Sequence, residues 1–304
     1  MILTEKLTKR YPGGQTAVVD LDLRVRRGEV YGFLGRNGAG KTTTMRMLMG
    51  LIRPTAGHAS VLGEAPGNPR GLAGIGALIE YPAFYPHLSG RDNLRVFARS
   101  CGMSDSRVER ALAQVELTER GGDRFRAYSQ DMKQRLGIAL ALLKDCELLI
   151  LDEPTNGMDP SGMAAMRDLI RSLGSAGRTV LLSSHLLGEV EQVCDRVGVI
   201  QQGRLIAEGS VAELTSSLDA GRLVITASPR QRAAEVLRRH PSVRSVRQEG
   251  EDLLVSAPVE VIGALNRELV LAEVTVTHLR AVRHSLEEVF LELTVDEEPA
   301  GVPS

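Results

Sequence analysis

The chain has 304 residues, 43% hydrophobic and 25% charged, enough for one large domain and a small one with their own cores. A formal net charge of −1 gives no overall pull toward nucleic acid or an anionic bilayer. Cys101, Cys146 and Cys194 lack C-x-x-C or metal-site spacing, so all three read as buried thiols in a reducing compartment rather than a disulfide framework.

In chain order, the opening Met1-Ile2-Leu3-Thr4-Glu5-Lys6 lacks the apolar stretch of a secretory signal, and the chain is expected to stay in the cytosol. Residues 30–34 form an apolar strand that feeds Gly35-Arg36-Asn37-Gly38-Ala39-Gly40-Lys41-Thr42. A helix is expected over 42–51, with Met45, Leu48 and Met49 on one face. The loop fits G-x-x-x-x-G-K-[ST]. Small residues let backbone N–H groups close around phosphate, Lys41 reaches the β- and γ-phosphates, and the Thr42 hydroxyl ligates Mg2+. Thr43 is expected to add a further hydrogen bond to phosphate.

A second apolar strand, Leu148-Leu149-Ile150-Leu151, ends in Asp152-Glu153. It comes 152 − 41 = 111 residues after the lysine, more than one crossover requires, so a helical insert over about 88–145 is expected. Ser89 with Asp92 opens one helix of the insert. Ser104 opens another, with Val108, Leu112 and Val115 on one face, and Met132, Leu136, Ala139, Leu140 and Leu143 form a third stripe. The most apolar run, 136–143, stops at Lys144-Asp145, far short of the roughly 20 residues of a membrane span. Any membrane pathway must therefore come from another polypeptide. Val180-Leu181-Leu182-Ser183-Ser184 is a third strand of this kind and runs into His185. Alternating strands and helices make 1–217 an α/β domain with a mainly parallel sheet, whose C-terminal strand edge is where such sheets bind ligands.

Beyond a junction at Ala220-Gly221 a different pattern begins. Segments 223–227, 230–240, 243–247, 253–256, 259–271 and 274–279 read β-α-β-β-α-β, the ferredoxin-like order, within an α+β domain over 221–295. Ser285 with Glu288 caps a last helix. Residues 296–304 are acidic, carry two prolines and read as a disordered tail.

Between the insert and the second strand stands Tyr128-Ser129-Gln130-Asp131-Met132-Lys133-Gln134-Arg135, at a helix start, where free N–H groups favour an anion. With the phosphate loop, Asp152-Glu153 and His185 in this order, about two thirds of the chain resembles the nucleotide-binding subunit of an ATP-binding cassette (ABC) transporter. The resemblance implies a P-loop NTPase cassette with an inserted helical subdomain, using ATP and Mg2+. It implies that Asp152 holds Mg2+ through water, Glu153 is the general base, His185 contacts the γ-phosphate, and Asp159 lies near a dimer interface. Tyr11 matches the aromatic residue that stacks on adenine, with core packing as its alternative. Ser129, Gln130, Asp131 and Met132 would close over ATP held by a second subunit, a homodimer being implied. The other implied partner is an integral membrane permease at the cytoplasmic face, with no nucleic acid.

Two residues depart from the family pattern. Glu80 stands where glutamine is usual; it can ligate Mg2+ but cannot donate an amide hydrogen bond. It resembles the branch that exports, or gives immunity to, bacitracin-like and lantibiotic peptides. The second domain resembles the extension of bacitracin- and daunorubicin-type drug-export ATPases, most clearly in Leu286-Glu287-Glu288-Val289-Phe290-Leu291-Glu292-Leu293-Thr294. Asp131 stands where the signature usually has glycine. A carboxylate about 4 Å from phosphate, at an effective dielectric near 20, is repelled by about 4 kcal/mol. The alternative is that Asp131 caps a helix starting at Met132 and points away. Repulsion predicts that Asp131→Gly raises ATP-dependent closure. An exporter subunit is the leading function; a soluble ABC ATPase, or a regulatory cassette of weak turnover, are the alternatives.

Overall fold

Strands that are apolar at every position need cover on both faces, and the first of two compact units supplies it. The computed structural model describes residues 1–80, 83–217, 221–282 and 285–295, and the chain divides between Ser210 and Val211. Unit one runs β1 (Ile2–Arg10), β2 (Thr16–Leu21), β3 (Arg24–Val25), β4 (Val30–Leu34), α1 (Lys41–Leu48), β5 (Ala56–Val61), α2 (Pro69–Ala73) and β6 (Ile75–Leu78). The insert follows as α3 (Gly90–Ser100), α4 (Asp105–Gln114) and α5 (Gln130–Leu142), with two short 3-10 turns between α4 and α5. The chain returns through β7 (Leu148–Leu151), α6 (Pro160–Ser175), β8 (Thr179–Ser184), α7 (Leu187–Val193), β9 (Arg196–Gln201) and β10 (Arg204–Ser210).

Six strands form one sheet in the order β10-β9-β4-β8-β7-β6, parallel except for β10. A second, antiparallel sheet has β1 paired with β2, β3 and β5. Ile2, Leu7 and Leu21 of the second sheet share one core with Phe33, Ile150 and Leu181 of the first and Met45 and Leu48 of α1. Register then decides where the chemistry goes. Leu34 pairs with Ser184, Leu151 with Leu182, and Leu78 with Leu151, so β4, β6, β7 and β8 end at one edge.

α1 stops at Leu48 rather than running to residue 51, because Gly50 takes φ 71°. Gly50 N–H donates to the Met47 carbonyl at 3.0 Å and Leu51 N–H to the Arg46 carbonyl at 2.9 Å, the paired closing bonds of a Schellman end. α3 begins as expected, with the Ser89 hydroxyl accepting from Asp92 N–H at 3.0 Å and donating to the Asp92 carboxylate at 2.7 Å. Of the thiols, Cys146 and Cys194 are buried, and burial raises the pKa of both. Cys101 is exposed, against expectation: it is the residue that ends α3, where the chain turns outward through Gly102 at φ 67°.

Unit two comprises α8 (Val211–Ser217), β11 (Arg222–Ser228), α9 (Arg230–Arg239), β12 (Ser245–Glu249), β13 (Asp252–Ser256), α10 (Ile262–Leu271), β14 (Thr275–Val282) and α11 (Leu286–Val295). Its sheet is antiparallel in the order β12-β13-β11-β14, which carries the ferredoxin-like connectivity. Leu223, Ile225, Leu253 and Val255 alternate inward against Leu237 of α9 and Leu265 and Leu269 of α10. α8, assigned by sequence to the first domain, belongs here because it packs on α11. The Ser285 hydroxyl accepts from Glu288 N–H and the Glu288 carboxylate accepts from Ser285 N–H, both at 3.2 Å, the capping box that the spacing predicts. Ala220, Tyr81, Pro82 and the expected tail over 296–304 lie outside the described residues.

Candidate nucleotide site

The phosphate loop leaves β4 and enters α1 through Gly40, at φ 112° and ψ 2°. A Cβ there would stand 2.5 Å from the Ala17 carbonyl oxygen, so both conformation and space require glycine. Gly35, Ala39 and Gly40 are buried, whereas Arg36, Asn37 and Gly38 are exposed at the loop's tip, and Thr42 and Thr43 are half-buried. No side chain caps α1, which leaves its first N–H groups for a ligand.

Lys41 is only 6% exposed and donates to the Gly35 carbonyl at 2.6 Å. Its ammonium also lies 3.1 Å from Glu153 Oε1. On the other side of that carboxylate, Oε2 is 2.8 Å from His185 Nδ1. An ionised carboxylate only accepts, so Nδ1 carries the proton toward Glu153. Lys41, Glu153 and His185, far apart in sequence, thus form one line along the strand edge. Glu153 itself has φ 48°, a left-handed backbone that few side chains other than glycine adopt.

Asp152 is buried and held from two sides. Thr42 Oγ1 donates to its Oδ2 at 2.7 Å, and Ser183 Oγ to its Oδ1 at 2.5 Å. The same Ser183 oxygen accepts from Glu153 N–H at 2.9 Å. Sequence reading missed this serine. The signal was present, since pairing of Leu151 with Leu182 places Ser183 opposite Asp152.

Fit to Mg2+ follows from these donors. Thr42 and Asp152 offer a hydroxyl and a carboxylate together, both hard oxygen ligands, while Glu153 Oε1 is ion-paired with Lys41. Among the described residues no group of three or more His, Cys, Asp or Glu could hold a metal. A cation here therefore needs phosphate oxygens and water to complete its shell. Glu80, the third expected ligand, is engaged elsewhere: it sits at φ 63° with its carboxylate on the Arg46 guanidinium of α1. Arg46, one turn beyond the loop, has no assigned role in the sequence reading, and it is the partner that holds the Glu80 carboxylate.

Tyr11 lies in the turn joining β1 to β2, half-buried, with the Lys9 ammonium 5.3 Å above its ring, and is not part of the core. Asp159 caps α6, its Oδ1 accepting from Gly162 N–H at 2.7 Å. The signature begins on Ser129, whose hydroxyl accepts from Met132 N–H at 3.2 Å. α5 accordingly starts at Gln130, not at Met132, and Asp131 is not the cap. Phe84, Phe125 and Tyr128 pack in a row as tilted ring pairs, with centroids 5.0 and 5.9 Å apart, and link the segment after Glu80 to the residue before Ser129.

Asp131 is not a free charge either. Its Oδ1 accepts from Arg135 Nε at 3.2 Å, one helical turn on. Arg135 in turn donates through Nη1 to Glu116 Oε2 at 2.8 Å and to the Val115 carbonyl at 3.2 Å. Burial opposes the Arg135 charge, but the Glu116 hydrogen bond and the Asp131 carboxylate outweigh it and raise its pKa above the ordinary arginine value.

Comparison with known proteins places this geometry. The family model described as "ABC transporter" matches residues 18–156, and the one for the "ATP-binding protein DrrA1-3-like, C-terminal domain" matches residues 209–294. The "Bacitracin transport ATP-binding protein BcrA" of Bacillus licheniformis is 40% identical over 96% of this chain and 97% of its own length. The chain belongs to the ABC transporter ATP-binding proteins. Within that family it is also similar to the "Daunorubicin resistance ATP-binding protein DrrA3" of Streptomyces coeruleorubidus, at 37% identity over 97% of this chain and 96% of that one. A solved "ATP binding subunit of ABC transporter" superposes with a TM-score of 0.63 and 29% identity, covering 71% of this chain and 92% of its own.

Proposed function

We propose that this protein is the ATP-binding and ATP-hydrolysing subunit of an exporter that drives efflux of a drug or antimicrobial peptide through a separate membrane permease. Its cargo class follows the bacitracin and daunorubicin relatives, which it matches over nearly their whole length. The pathway is assigned to a partner; among the described residues no helix is long and apolar enough to cross a membrane. One observation carries the chemistry: three parallel strands deliver Lys41, Asp152-Glu153 and His185 to a single edge, with Lys41 3.1 Å and His185 2.8 Å from the same carboxylate.

The loop N–H groups and Lys41 bind the phosphates, and Tyr11 stacks on the adenine. Thr42 and Asp152 would hold Mg2+, which when bound neutralises phosphate charge. Glu153 takes the proton of the attacking water, and the single N–H of the His185 imidazole, given to that carboxylate here, turns to the γ-phosphate when ATP is bound. Ser129 and the N–H groups that begin α5 serve the ATP of a second copy, so that two sites form at the dimer interface, on the cytoplasmic face beneath the permease.

Glu153→Gln tests this reading. Hydrolysis is expected to fall by about 10²–10⁴-fold, the usual worth of a general base, while ATP binding persists and ATP-dependent dimers accumulate on size exclusion. Full hydrolysis in the variant, or no ATP binding by the parent, rejects it.

A further inference from the structure

Asp131 sits in the segment that closes over a partner's ATP, yet its carboxylate is turned onto its own helix. We propose that Arg135 is a positioning residue for closure: it holds the Asp131 carboxylate onto α5 and offsets its charge, so that the signature offers Ser129 and backbone N–H groups to the partner's phosphate. This inference rests on the exporter-ATPase reading above.

Three observations support it. Arg135 has a side chain only 10% exposed, and its guanidinium is divided between Asp131 at 3.2 Å and Glu116 at 2.8 Å, with the Val115 carbonyl as a third acceptor. It therefore cannot swing away without leaving buried donors unpaired. Asp131 also lies beside α6: a Cβ built on Gly162, in the first turn of that helix, would come within 3.5 Å of the Asp131 Cβ. Finally, Ser129 caps α5 without help from Asp131, so the carboxylate is not needed to start the helix.

Glu116 completes the device. It follows α4 in a left-handed turn at φ 59°, and its side chain is 80% exposed. One buried cation thus faces two carboxylates, and freeing Asp131 from it restores the repulsion that the sequence predicts.

The experiment uses the full chain with Glu153→Gln and reads the ATP concentration for half-maximal dimerisation, beside ATP binding by single subunits. Arg135→Gln is expected to raise that concentration about fivefold or more, an increase that shrinks in 0.5 M salt as the Debye length falls to a few ångströms. Adding Asp131→Asn is expected to reverse most of it. A purely structural arginine would give a defect that Asp131→Asn does not repair, and that result overturns the proposal. If Arg135→Gln fails to fold, Arg135→Lys carries the same test: it keeps a cation but not the fork, and its smaller increase must also vanish with Asp131→Asn. An Arg135 variant that folds and dimerises like the parent overturns the coupling alone. A parent that binds ATP and never dimerises overturns the reading of function on which it rests.

Discussion

The phosphate loop and the signature are both helix beginnings offered to phosphate, and they are built differently. At the loop, α1 starts on a glycine at φ 112° with no capping side chain, and the shape is held by backbone packed on backbone. At the signature, α5 starts on Ser129, which caps through its hydroxyl, and the local charge is set by an arginine bound to a carboxylate 19 residues upstream. The first site depends on space, the second on charge balance. Substitutions should therefore fail for different reasons, steric and salt-independent in one, electrostatic and screened by salt in the other.

The largest effect is expected at Gly40. Gly40→Ala incurs roughly 1–2 kcal/mol for the left-handed backbone and about 1–3 kcal/mol more for overlap with the Ala17 carbonyl. Urea unfolding should show both, and ATP binding should weaken at least tenfold. Gly38→Ala is the control that isolates space from conformation. Gly38 has φ 82°, but a methyl group there would meet nothing within 4 Å, so only the first cost applies. Equal losses at the two glycines would break the claim that the loop is held sterically.

Ser129→Ala comes next. Losing the cap is expected to cost about 1 kcal/mol in urea unfolding and to weaken ATP-dependent dimerisation, with single-subunit ATP binding unmoved. Loss of binding in isolated subunits would place the signature in the wrong site.

The smallest effect is at Asp92, a control away from both. The Ser89 hydroxyl, aided by Arg95, holds its carboxyl below the ordinary value. A lowered folded-state pKa stabilises above the unfolded value near 4 and is lost as pH falls through the folded one. Asp92→Asn should therefore lower stability at pH 7 by less than about 1 kcal/mol, the side chain being half exposed, and the difference should shrink as pH falls through the lowered folded-state value. A gap that grows on acidification would reverse the sign and reject the cause.

What could be read from the chain follows the same division. The loop, the strand edges, the insert and the β-α-β-β-α-β order are local patterns, since a motif of eight residues or a run of apolar ones carries its own conformation. The end of α1 is local too, because Gly50 announces it. The pairings of Glu80 with Arg46 and of Arg135 with Glu116 were not legible, since they join residues 34 and 19 positions apart with no periodic signal between them. From sequence Asp131 is either cap or free charge, because Arg135 one turn on belongs to the same motif and nothing local marks it as a counter-ion. α8 went to the wrong unit for a similar reason: its partner, α11, lies at the far end of the chain.

Ser183 has a consequence of another kind. One fully buried oxygen donates to Asp152 and accepts from the backbone of Glu153, so two residues with different tasks share a single mooring. A mutational survey would score this serine as intolerant although it never meets the substrate. Alanine cuts both moorings, and threonine keeps the oxygen but must find room for a methyl in a sealed strand. Tolerance to change is set here by how many tasks converge on one atom, not by distance from the reaction.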